Sequence, residues 1–256
     1  MITLSNLSTG YDHKVVARNI TAHLPKGQLV SLLGRNGVGK STLMRTLAGF
    51  QPALGGQVAI DGHDIRQLPR TAMSRLVSIV LTERIDVAGM SVTELVALGR
   101  CPHTGFWGSL TPSDQTAVEQ AIRMVGIAPL AHRQVHTLSD GERQKALIAK
   151  ALAQDTPVIL LDEPTAFLDF QSKVELMRIL SLLAHDMQKT VLLSTHDVEL
   201  AIQLSDLLWL LSDDGLETGS PSHLSQNGTI ARFFREVDAR YDATHRVFLL
   251  NEGKGI

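Results

Sequence analysis

Apolar residues along this chain fall into two periods, short strand-like runs and longer stretches of helical spacing, and the balance between them shifts twice. Ile2 and Leu4 alternate with polar neighbours, and Ile20, Ala22 and Leu24 do the same before the Pro25-Lys26-Gly27 turn, so both stretches read as strands. Leu29-Val30-Ser31-Leu32-Leu33 is a third strand, followed by helical pattern from Thr42 to Ala48. Gly55-Gly56 marks a turn, Gln57 to Gly62 reads as a hairpin strand ending in Asp-Gly, and the apolar run 76–81 predicts another strand.

From about residue 86 to 154 the pattern is helical. Ser91 is placed to cap a helix over 92–98, with Glu94 three residues on. Pro112-Ser113-Asp114 opens a second helix that runs to about Val125 and stops near Gly126. Ser139 and Glu142 form a capping-box pair ahead of the strongly helix-favouring stretch 143–153.

Strand and helix then alternate. Val158 to Leu161 is continuously apolar, as in a strand covered on both faces. A helix over 171–187, a strand over 191–194, a helix over 197–204 and a strand over 207–211 follow. Asp213-Asp214-Gly215 turns that last strand into one arm of a hairpin, and 246–250 reads as a closing strand. The order predicts an α/β fold: a mostly parallel sheet with helices on both faces, antiparallel strands at the N-terminus and a helical insertion. We read 1–256 as a single domain, with 1–85 and 155–225 forming the core, 86–154 the insertion and 226–256 a C-terminal extension of the core.

Composition narrows the class. The chain has 256 residues, long enough to bury a sizeable core without a disulfide or metal staple. A net charge of −2 with interspersed signs argues against nucleic acid as a partner and against a polybasic membrane anchor. Cys101 is the single cysteine, which excludes a disulfide framework and suits a reducing compartment. The N-terminus lacks the basic and apolar regions of a signal peptide, and no apolar run nears the ~18 residues of a membrane span.

The chemistry begins at Gly34-Arg35-Asn36-Gly37-Val38-Gly39-Lys40-Ser41-Thr42, a complete phosphate-binding loop between a strand and a helix. Its glycines let successive N–H groups point at a phosphate, Lys40 is suited to the β- and γ-phosphates, and Ser41 to Mg²⁺. Asp162 and Glu163 end the 158–161 strand, on the side where α/β sheets bind ligands. Asp162 is expected to hold Mg²⁺ with Ser41, and Glu163 to polarise the attacking water. His196 follows the 191–194 strand and is placed to meet the γ-phosphate or that water. His13, His103, His132, His136 and His185 show no metal-ligand spacing. Leu138-Ser139-Asp140-Gly141-Glu142 is a helix cap and, by the same N–H groups, an anion site.

Taken in order, the loop 34–42, Leu138 to Glu142, the Asp162-Glu163 strand end, Leu168-Asp169 and His196 resemble the stations of an ABC-type ATPase subunit, over nearly the whole chain. The resemblance implies a P-loop core of ABC type, ATP and Mg²⁺ as cofactors, and a head-to-tail homodimer. In it Ser139 and Gly141 would meet the nucleotide held by the other copy's Lys40 loop, and Asp169 would lie in the contact between the two sites. Tyr11 occupies the position of the aromatic that stacks on adenine; ordinary packing of the ring is the alternative.

Two departures from the family pattern stand out. Thr82 sits where a glutamine usually links Mg²⁺ to the transport partner, and is the candidate metal residue at that station with a shorter side chain that can still hydrogen-bond. Asp140 and Glu142 replace the commoner Gly and Gln, and both are expected to point away from a phosphate, Glu142 toward its own helix cap. Within the class the chain looks most like ATPase subunits of importers for iron-siderophores, haem or cobalamin. The residues behind this are 94–100, Pro102 to Gly105, and 140–153.

That resemblance implies a polytopic membrane permease as partner and a peripheral place on the cytoplasmic face of the inner membrane. It also implies an extracytoplasmic substrate-binding protein acting through the permease. Phe106-Trp107-Gly108 reads either as an aromatic docking patch or as packing within the insertion. A soluble ABC ATPase of an assembly machine, such as iron–sulfur cluster biogenesis, would share every ATP-site residue.

Overall fold

The computed structural model describes residues 1–12, 14–82, 89–105, 108–166, 168–235 and 239–250. β1 (Ile2–Tyr11) and β2 (Lys14–Leu24) pair antiparallel, with Ile2, Leu4, Ile20 and Leu24 turned inward as their period-2 spacing requires. β3 (Leu29–Gly34) leads into α1 (Lys40–Leu47). β4 (Gly55–Ile60) and β5 (His63–Asp64) are joined by Asp61 and Gly62, both at positive φ (48° and 82°). A tight two-residue hairpin turn needs that conformation, which is why Asp-Gly stands there. These strands form a four-stranded antiparallel sheet in the order β2-β1-β4-β5.

α2 (Arg70–Leu76) runs straight into β6 (Val77–Val80), so the strand expected over 76–81 begins one residue later and Leu76 closes a helix. α3 (Val92–Ala97), α4 (Pro112–Met124) and α5 (Asp140–Ala153) form the helical insertion around Val92, Leu95, Val118, Ile122 and Ile148. Each of the three opens on a reciprocal capping box: Ser91 with Glu94, Thr111 with Asp114, and Ser139 with Glu142.

β7 (Val158–Asp162), α6 (Phe170–His185), β8 (Thr190–Ser194), α7 (Val198–Leu204) and β9 (Leu207–Ser212) resume the alternation. β10 (Gly215–Gly219) turns back antiparallel on β9. The second sheet has the order β10-β9-β3-β8-β7-β6 and is parallel except for β10. Its strands separate two cores. Ile159, Leu161, Val191 and Leu193 pack with the insertion and α6, while Val158, Leu160 and Leu192 pack with α1 and the four-stranded sheet.

α8 (Pro221–Gln226) and α9 (Thr229–Phe233) follow, then β11 (Ala239–Asp242) and β12 (Val247–Leu250). The expected closing strand thus belongs to a separate two-stranded hairpin, whose Phe248 ring meets both Phe234 and Tyr241 beside α7 and β9. Among the described residues no helix is long and apolar enough to cross a membrane.

Candidate nucleotide-binding site

β3, β8 and β7 are neighbours in the sheet, and their carboxyl ends bring three turns together. The first carries the loop. Gly37 and Gly39 lie at φ 81° and 106°, where any side chain is strained, and a Cβ on Gly39 would also stand 2.8 Å from Val16 Cγ1. No side chain caps α1, so the N–H groups of its first turn face the loop without a capping partner. Arg35, Asn36 and Gly37 form the exposed tip, while Val38 is buried. Ser41 and Thr42 stand in the first turn of α1.

Lys40 is 5% exposed, and its Nζ donates to the carbonyls of Gly34 (2.9 Å) and Arg35 (3.2 Å). Burial pulls its pKa below the ordinary lysine value, and the charges of Glu163 and Asp162 oppose that shift. A desolvated cation facing two carboxylates is a place where anionic oxygens and a divalent cation can be exchanged in together.

Asp162 ends β7 and is buried; its Oδ1 accepts a 2.7 Å hydrogen bond from the Ser194 hydroxyl. Glu163 follows at φ 50°, its N–H donating to the same Ser194 Oγ at 2.9 Å. Its Oε1 lies 2.7 Å from Nε2 of His196, so the histidine meets the glutamate itself in this structure. Asp197, to which the sequence assigned nothing, accepts from Thr165 (2.6 Å) and from Lys173 (2.7 Å). Thr165 and Lys173 are distant in sequence, and no local string announces them.

Thr82 donates its hydroxyl to the main-chain carbonyl of Asp162 at 3.0 Å, a bond that uses the proton and not the oxygen lone pairs. Tyr11 closes β1 with its ring 45% exposed and its hydroxyl accepting from Thr42 at 3.3 Å. His13 and the Phe106-Trp107 pair lie outside the described residues.

At the start of α5, Glu142 Oε2 accepts from both the N–H (2.8 Å) and the hydroxyl (2.9 Å) of Ser139. Those two bonds, the N–H first, hold its carboxyl below the usual range. Glu142 therefore turns to its own helix cap, as expected, and Asp140 pairs with Arg143 at 3.0 Å. Leu138 is buried behind them, and Gly141 packs near Leu168. Asp169 caps α6 by accepting the Ser172 N–H at 2.7 Å. None of the hydrogen bonds of Ser139, Glu142 or Asp169 among the described residues reaches Lys40, Asp162 or Glu163.

Among the described residues no cluster of three or more His, Cys, Asp or Glu could hold a metal unaided. The donors at hand are a serine hydroxyl and one buried carboxylate, hard oxygens that suit Mg²⁺ when phosphate oxygens and water complete its shell.

The ABC transporter family profile matches residues 17–166. The chain is 35% identical over 240 residues to the achromobactin transport ATP-binding protein of Dickeya dadantii, spanning 93% of this chain and 89% of that protein. It is 35% identical over 229 residues to the ferric enterobactin transport ATP-binding protein of Escherichia coli, spanning 89% and 84%. A solved inward-facing ABC transporter of proposed metal-chelate type shares the fold with a TM-score of 0.79 and 26% identity, over 91% of this chain and 88% of that one. With a phosphate loop, a strand-end acid pair and a histidine turn converging at one sheet end, this chain belongs to the ABC transporter family as one of its ATP-binding, ATP-hydrolysing subunits.

Proposed function

We propose that this chain is the ATPase subunit of an importer for an iron-siderophore, haem or related chelate, driving a separate membrane permease by ATP-dependent closure of a homodimer. The 2.7 Å pairing of Glu163 with His196, next to Asp162 and Lys40, carries the hydrolytic part. The cargo part is supported by the transport proteins of siderophores to which the chain is similar.

In this reading the N–H groups from Gly37 to Ser41 and the Lys40 ammonium bind the β- and γ-phosphates, and Tyr11 stacks on the base. Ser41 and Asp162 would hold Mg²⁺, which when bound neutralises charge on the phosphate oxygens. Glu163 accepts a proton from the attacking water, a role worth roughly 10²–10⁴ in rate, and His196 orients its carboxylate. Ser139 and Gly141 of a second copy close over the γ-phosphate, with Asp169 in the contact between copies. ATP binds the closed pair better than the open one, and that difference in affinity powers the permease. The subunit would sit peripherally on the cytoplasmic face of the inner membrane, with an extracytoplasmic binding protein delivering cargo to the permease.

Two experiments test this. Glu163→Gln is expected to bind ATP and accumulate a closed dimer on gel filtration; normal turnover would remove Glu163 from the base role. Affinity capture from detergent-solubilised membranes is expected to recover a polytopic membrane protein at near-equal stoichiometry. Recovery with soluble partners only would overturn the transport reading.

A further inference from the structure

Ser194 occupies the last position of β8, directly across the parallel ladder from Asp162 at the last position of β7. It is wholly buried. Its hydroxyl donates to Asp162 Oδ1 (2.7 Å) and accepts the N–H of Glu163 (2.9 Å). One proton and two lone pairs allow both bonds together. We propose that Ser194 is a positioning residue for the reaction, tying the carboxylate that holds the metal to the backbone of the glutamate that activates water. This rests on the roles given to Asp162 and Glu163 under the proposed function.

Each bond has a separate consequence. Glu163 sits at φ 50°, a region that residues with a side chain rarely occupy and keep only where the surroundings hold them. Ser194 is the acceptor that holds its N–H there, and the resulting turn swings the glutamate toward His196. The bond to Asp162 engages one carboxylate oxygen and sets the rotation of the group, leaving the other oxygen for a cation. Outer partners of this kind orient metal ligands.

The nearby hydroxyls do not duplicate this role. Thr195 accepts from the Asp197 N–H and bonds Thr165, and Thr165 donates to Asp197. That second set braces the same two turns but reaches neither Asp162 Oδ1 nor the Glu163 N–H. The residue type matters as much as the place, because a hydroxyl at 194 both donates to Asp162 Oδ1 and accepts the Glu163 N–H, which an apolar side chain cannot do. The hydroxyl is therefore the feature to explain.

The test uses the full chain with Ser194→Ala, which removes one oxygen from a packed site. Fluorescent ATP-analogue binding is measured in EDTA, Mn²⁺ binding to the nucleotide complex by electron paramagnetic resonance, turnover by phosphate release, and Tm by calorimetry. We expect near-native analogue affinity in EDTA, with Mn²⁺ affinity and kcat each lower by roughly 10-fold or more, the range for residues that orient a metal ligand. Wild-type Mn²⁺ affinity and kcat would overturn the proposal. So would a parallel loss of Tm and of analogue affinity in EDTA, which marks a merely structural role. If Ser194→Ala does not fold, Ser194→Cys, close in volume and a weak donor, carries the same measurements. A wild-type chain that never hydrolyses ATP would defeat the proposed function, while the Mn²⁺ measurement would still decide the place of Ser194.

Discussion

Nε2 of His196 lies 2.7 Å from Oε1 of Glu163, across two turns that only the adjacency of β7 and β8 brings together. Under the proposed function, a histidine that touches the glutamate would act on the water through it, and the two side chains should then behave as one unit. We expect Glu163→Gln and His196→Ala each to lower kcat by at least about 10². The double variant should be no slower than the slower single, because groups acting in series do not add. A full double-mutant cycle on kcat checks this, and additive losses would show that His196 works on the phosphate independently.

Lys40 makes its present hydrogen bonds to Gly34 and Arg35, the carbonyls of its own loop. Its ammonium is desolvated, and the carboxylates of Glu163 and Asp162 at the β7 end favour its charge. Lys40→Met should therefore leave the fold intact and weaken ATP binding at least about 10-fold, the scale of losing one charge-assisted contact. Lys40→Arg should rescue poorly, because a planar guanidinium does not reproduce a buried point charge held by the Gly34 and Arg35 carbonyls. Isothermal titration with ATP in EDTA and in Mg²⁺ measures both. Native affinity in Lys40→Met would move phosphate binding to the N–H groups alone.

These relationships show what the sequence could and could not carry. The loop, the acid pair and the capping boxes of Ser91 and Ser139 were legible because each is a local string whose geometry follows from neighbours within a few residues, whereas the Thr111–Asp114 box was read only as a Pro-led helix start. Asp61-Gly62 was legible for the same reason. The partners of His196, Ser194 and Asp197 were not, because they depend on the register that sets Asp162 opposite Ser194. Leu76 was misplaced by one residue because α2 joins β6 without a turn, and an apolar residue fits either period. The 246–250 strand was read correctly as a strand, but its pairing with Ala239–Asp242 in a hairpin separate from the main sheet was not.

Thr82 tests the same limit from the other side. Its position suggested a metal or transport-partner link, yet its hydroxyl donates to the Asp162 carbonyl and so joins the end of β6 to that of β7. Thr82→Val should lower Tm slightly and leave the Mg²⁺ concentration for half-maximal ATPase unchanged. A clear rise in that concentration would return Thr82 to the metal.

The buried ion pair of the insertion gives a prediction that acid can read. Arg100 Nε donates to Asp114 Oδ1 at 2.8 Å, and its Nη1 donates to the Ala153 carbonyl at the end of α5. Asp114 also closes the α4 capping box, and its pKa is pulled from 3.8 to about 2, first by the Thr111 hydroxyl, then by the Thr111 N–H and Arg100. A carboxylate depressed in the folded state stabilises fully above its unfolded pKa, and that contribution is lost as pH falls through the folded value. The window therefore runs from about pH 4 down to about pH 2. Asp114→Asn should lower Tm by several degrees at neutral pH, because Arg100 stays buried without its charge partner. Across the acid window the variant should lose less further stability than the wild type, and ATP affinity at neutral pH should be unchanged in both. Thermal unfolding followed at neutral pH and at steps through the window decides it, and parallel acid limbs in the two proteins would show that Asp114 is not the group that titrates.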